Sequence, residues 1–125
     1  MPDQALDLWA PDIGKTQVTT PLAILRSQAA LLAQKTNHVL EALVETTAEG
    51  SIFRHDFCIL APALDNYKYR LFGIWTGIDL YPIRQSRGTA VELRSEQEFV
   101  DWLKDELSSD KTRTVILALL SQSKS

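Results

Sequence analysis

His55, Asp56 and Cys58 fall within four residues of one another, and a thiol beside an imidazole is the smallest kit for nucleophilic catalysis. The stretch that carries them, Ser51 to Ala61, is rich in Ile, Phe and Leu and reads as a strand. Strand period sends residues 56 and 58 to one face and 55 to the other, so the imidazole reaches the thiol only through a bulge. Cys58 therefore reads as a small apolar filler and His55 as a satisfied polar residue near the sheet end. His38 begins the preceding strand on the same face as His55, but about 20 Å away at strand rise, so the two cannot share a metal. Asp56 and Asp79, a possible acid and base pair, fall on opposite faces. One cysteine and two histidines are too few for an all-Cys/His structural zinc site and exclude an intramolecular disulfide. The five glycines stand apart at 14, 50, 73, 77 and 88, so neither a phosphate loop nor a dinucleotide fingerprint exists. No catalytic residue, metal ligand or cofactor is assigned.

The most distinctive stretch interleaves aromatic and basic side chains: Tyr67, Lys68, Tyr69, Arg70, Phe72 and Trp75, with Tyr81, Arg84 and Arg87 soon after. Aromatics beside cations are what single-strand nucleic-acid readers use. An acidic net charge of -3 and the lack of an RNP-like motif count against that use. The bland explanation is one parity in the core and the other an edge guarded by Lys and Arg. Tyr, Trp and Arg also dominate protein interfaces, which makes Tyr67, Lys68, Tyr69, Arg70, Trp75 and Tyr81 the expected binding residues.

These residues must be positioned by their elements. Residues 1–20 mix Pro2, Pro11 and Gly14 with Leu6, Leu8, Trp9 and Ile13 and read as an arm, with Trp9 expected to dock on the body. Thr20-Pro21 is a helix start: the hydroxyl can accept from an orphan amide, and proline at the first position gives up no bond. A helix to about Lys35 then sets Leu22, Leu25, Ala29 and Leu32 on one face. From His38 the period falls to two, giving strands over His38 to Thr47, Ser51 to Ala61, Tyr67 to Thr76 and Ile78 to Arg84, with a further short one at Thr89 to Arg94 after the loop Ser86 to Gly88. Turns at Glu49-Gly50 and Asp65-Asn66 would pair Glu45 with Arg54, Val44 with His55, Phe57 with Ile74 and Ile59 with Phe72. The face opposite the core would then carry Arg54, Asp56, Cys58, Tyr69, Leu71 and Trp75, apolar enough to need a cover from C-terminal helices or a dimer partner. Ser95 and Glu98 have the spacing of a capping box, with Phe99, Leu103 and Leu107 following at intervals of four. Ser108 to Asp110 interrupt that helix and cap another carrying Val115, Ile116, Leu119 and Leu120.

The expected architecture is α+β: an N-terminal helix, an antiparallel meander of four to five strands and two short C-terminal helices, forming one domain over residues 21–125. At 125 residues with 45% hydrophobic positions, the chain can bury a core without staples. The first twenty residues lack a basic n-region and an apolar run, and no later stretch approaches a membrane span, so a cytoplasmic protein is expected, with no membrane partner. The function favoured is a non-enzymatic module of inhibitor, immunity or adaptor type that binds another protein, or a second copy of itself, through the aromatic and basic sheet surface. The alternative is a small-molecule or enzymatic pocket between sheet and helices using His55, Asp56, Tyr69 and Tyr81.

Overall fold

The computed structural model describes residues 6–14, 19–85 and 92–125. Helix α1 runs over Pro21–Lys35, capped by the Thr20 hydroxyl, which accepts from the Ala23 N–H at 3.0 Å. Thr36 ends it: its Oγ1 lies 3.0 Å from both the Leu32 and Leu40 carbonyls and accepts from the Leu40 N–H at 3.2 Å, lashing the helix end to the following strand. Asn37 and His38 both take left-handed backbone, so the chain turns there and the first strand begins at Glu41 rather than His38.

Five strands follow in meander order, β1 (Glu41–Glu49), β2 (Ile52–Ala61), β3 (Tyr67–Gly77), β4 (Ile83–Gln85) and β5 (Glu92–Leu93), each antiparallel to its neighbour. Helices α2 (Glu96–Leu107) and α3 (Asp110–Ser123) complete the expected α+β arrangement. Ser95 Oγ accepts from Glu98 N at 3.1 Å and Ser109 Oγ from Thr112 N at 3.2 Å, so both serine caps form where the spacing placed them.

Pairing departs from expectation in three places. The first hairpin turns on Gly50-Ser51, with Gly50 at φ 63, which joins Glu49 to Ile52 and moves the register by two residues. Glu45 consequently meets Asp56 rather than Arg54, and His55 meets Thr46 rather than Val44, although every side chain keeps its face. The second connection is longer than a two-residue turn: a 3-10 turn at Pro62–Leu64 leads into left-handed Asp65 and Asn66. Phe57 then pairs with Phe72 and Ile59 with Tyr69, and a bulge leaves Leu71 as the extra residue of β3. The third departure is the stretch from Ile78, which forms a turn with Leu80 in left-handed backbone, so β4 begins at Ile83 rather than at Ile78. Of the expected fifth strand, Glu92 and Leu93 pair with β4 among the described residues; Ser86 to Val91 lie outside them.

All three helices cover one face of the sheet. Leu25 and Ala29 from α1, Phe99 and Leu103 from α2 and Leu119 from α3 join Phe57, Ile59, Phe72 and Ile74 in a single core. Phe57 and Phe72 stack across the strands at 5.3 Å, and Trp102 meets Phe72 edge-on at 5.2 Å. The expectation that C-terminal helices cover the other face is thus overturned, because the apolar stripes of α2 and α3 fit the same core as α1. Trp9 does not dock either: it is 74% exposed.

Candidate functional site

The uncovered face displays alternate residues of β1 and β2 together with Lys68, Arg70, Gly73 and Trp75 of β3, and it is organised by charge. Asp56, only 13% exposed in its side chain, receives two arginines: Arg70 Nε at 2.8 Å on one oxygen and Arg54 Nε at 3.1 Å on the other. Arg54 extends the line to Glu49 at 2.8 Å, while Lys68 reaches across β2 to Glu45 at 2.9 Å. Gly73 faces Asp56, and a Cβ there would collide with the Arg70 guanidinium and the Asp56 carboxylate, so this glycine is the space in which the pair forms. Near the far edge Arg84 binds Glu92 at 3.2 Å and Arg94 approaches it at 3.5 Å. Trp75 lies half-buried, paired along the ladder with Arg54 on one side and Arg84 on the other.

Cys58 is buried in this face, its Sγ donating to Glu45 Oε1 at 3.7 Å. Burial, then the Glu45 charge and its hydrogen bond, push the thiol up to about 11, away from nucleophilic character. Glu45 is itself held below the usual carboxylate range, chiefly by its hydrogen bond from Lys68, whose ammonium is held up by the same bond.

His55 points to the opposite face, as strand period requires. Its Nδ1 lies 2.8 Å from Thr46 Oγ1 and its Nε2 3.2 Å from Thr76 Oγ1, so both ring nitrogens have partners. It sits in an apolar cavity of about 260 Å³ near the start of α1, with Leu22, Phe53 and Leu80 among its walls. Burial, with a contribution from Arg26, lowers its proton affinity, and Asp56 opposes that shift. Thiol and imidazole thus lie on opposite sides of the sheet. His38 is exposed in the turn before β1, and Asp79 is exposed in the turn after β3.

The six expected binding residues do not share a surface. Lys68, Arg70 and Trp75 lie together on the open face. Tyr67 is exposed at the start of β3, opposite Ala61. Tyr69 pairs with Ile59 and packs against the core, and Tyr81 packs there too, its hydroxyl buried without a hydrogen-bond partner among the described residues and its proton held by burial. The bulge at Leu71 makes this division: it puts residues 67–70 and 72–77 out of phase, so Tyr69 and Trp75 face opposite ways despite equal parity. For the same reason Leu71, expected on the open face, is buried in the core. His55, Asp56, Tyr69 and Tyr81 do not converge on one cavity, since Asp56 alone lies on the open face. Sequence reading missed Arg54 and Asp56 as the hub of the charge lattice; the signal was Gly73, a glycine within a strand opposite an acid.

No helix among the described residues is long and apolar enough to cross a membrane. The chain matches no protein-family model, no curated protein and no solved structure.

Proposed function

We propose that this chain is a binding module that docks a folded protein partner on the open face of its sheet, in the manner of an inhibitor, immunity or adaptor protein. The observation that carries this reading is the asymmetry of the sheet: three helices cover one face, and the other presents Trp75 among Arg54, Arg70, Lys68 and their carboxylates. A flat lattice of both signs suits a protein surface of mixed charge, which can exchange partners ion by ion. Nucleic acid is a poorer fit, because Lys68, Arg70 and Arg54 are already neutralised by acids within the face. A half-buried tryptophan flanked by arginines has the composition of an interface hot spot. Catalysis is not part of the proposal, since the thiol is pushed up to about 11 and the imidazole lies across the sheet from it. We place the protein in the cytoplasm, where a lone thiol such as Cys58 stays reduced.

The test is affinity capture with the wild-type chain, a face variant carrying Trp75→Ala and Arg70→Glu, and a control carrying Arg113→Glu on α3. A partner retained by wild type and control but lost from the face variant is the expected result. Equal retention by all three would remove the open face as the site.

A further inference from the structure

The large apolar side chains left exposed are concentrated in a few places. Four belong to the arm: Leu6, Leu8, Trp9 and Ile13, each at least 66% exposed. Two others, Leu31 and Val100, stand on the walls of a groove on the helical side. That groove runs beside α1 from Ile24 to Lys35, about 16 Å at helical rise, with α2 and the start of α3 as its far wall. It comprises two cavities of about 210 and 450 Å³ that share Gln28 and Leu107. Lys35 and Lys104 line it, and neither forms an ion pair with a described residue.

The arm has the complementary character. Its apolar residues alternate with Asp7 and Asp12, and between Leu6 and Ile13 it carries no basic residue. Asp7 accepts from the Trp9 N–H at 3.0 Å and Ile13 N donates to the Ala10 carbonyl at 3.1 Å, so the segment is already folded back on itself before it docks. We infer that the arm of one copy docks in the α1/α2 groove of a second copy, Trp9 filling the apolar trough and the two aspartates meeting Lys35 and Lys104. Reciprocal exchange gives a closed two-fold dimer, because each chain owns one arm and one groove. Trp9, the arm's one aromatic, is of a kind that buries roughly 150–250 Å² when it docks, and Leu6, Leu8 and Ile13 add to it. This dimer uses the helical side and leaves the open sheet face available to a partner.

The test is sedimentation velocity of the full chain over a concentration series, with circular dichroism to verify folding. Wild type is expected to dimerise, and Trp9→Ala to raise the dissociation constant at least about hundredfold, since both interfaces lose their anchor. Val100→Glu, or Leu31→Glu as a second groove variant, should have a similar effect. Mixing the Trp9→Ala and Val100→Glu proteins should restore a heterodimer, because one intact arm then meets one intact groove. A chain that stays monomeric at every concentration, a dimer that survives both kinds of variant, or a mixture that fails to associate would each overturn the inference.

Discussion

The same three strands build two surfaces held by different forces. On the helical side, Phe57, Ile59, Phe72 and Ile74 are removed from water by α1, α2 and α3, and the energy is the burial of apolar area in a close-packed layer. On the open side, Arg54, Asp56, Arg70, Lys68 and Glu45 are linked pair by pair, in partial contact with solvent that weakens every ion pair. The lesson is a division of labour: one face should determine whether the chain folds, and the other should be free to change for the sake of what it meets.

The comparison breaks most visibly if the core is opened. Phe57→Ala removes one member of the stacked pair with Phe72 and should cost about 3–5 kcal/mol in urea unfolding. A cost below 1 kcal/mol would mean that the helical layer does not carry the stability assigned to it. On the open face the largest single effect should come from Gly73→Ala, whose methyl meets the Arg70 and Asp56 side chains, at about 1–3 kcal/mol. Removing Arg70 first should shrink that cost; an undiminished penalty in the Arg70→Ala background would show that the Asp56 carboxylate, and not the guanidinium, resists the methyl.

His55 makes the helical side respond to acid. Its proton affinity lies below the ordinary 6.5, chiefly through burial, so below that pH the unfolded chain takes up a proton that the folded chain resists. Its stabilising contribution is whole above about 6.5 and is lost as the pH falls through the folded value. Melting temperature should therefore drop from pH 7.5 to pH 5 more steeply for wild type than for His55→Gln; parallel curves would remove His55 from the acid response. The smallest effect belongs to Lys68→Ala, whose ion pair with Glu45 is half exposed: the urea midpoint should not move measurably, at low salt or high. A clear shift there would mean that the open face stabilises the fold after all.

Much of the fold was legible because its signals are local. Thr20-Pro21, Ser95 with Glu98 and Ser109 each mark a helix start through a side chain that can reach an orphan amide, and each cap forms. The hairpin at Gly50 was legible in place but not in register: Glu49-Gly50 and Gly50-Ser51 are equally turn-compatible, and shifting between them moves the pairing by two while leaving every face unchanged. The candidate surface suffered most from an assumption of unbroken alternation in β3. Tyr67, Tyr69 and Leu71, then Phe72 and Ile74 followed by the buried Thr76, record a change of phase, and the adjacent Leu71 and Phe72 are where it happens. Read that way, Tyr69 goes to the core while Lys68, Arg70 and Trp75 share the open face. The groove beside α1 was not legible at all, because it depends on how three helices settle against one another rather than on the pattern of any one of them.

Leu71 also bears on how this chain tolerates changes of length. In a regular central strand, losing one residue would turn every later side chain to the wrong face. In β3 the register with β2 steps from Arg70, across from Cys58, to Phe72, across from Phe57, so without Leu71 those two pairings would stand and the alternation would become continuous. Deleting Leu71 should therefore sacrifice one buried leucine and keep the sheet, whereas deleting Ile74 should scramble it. The middle of the molecule, where shortening is normally least forgiven, thus holds a position at which the loss of one residue would leave the strand register standing.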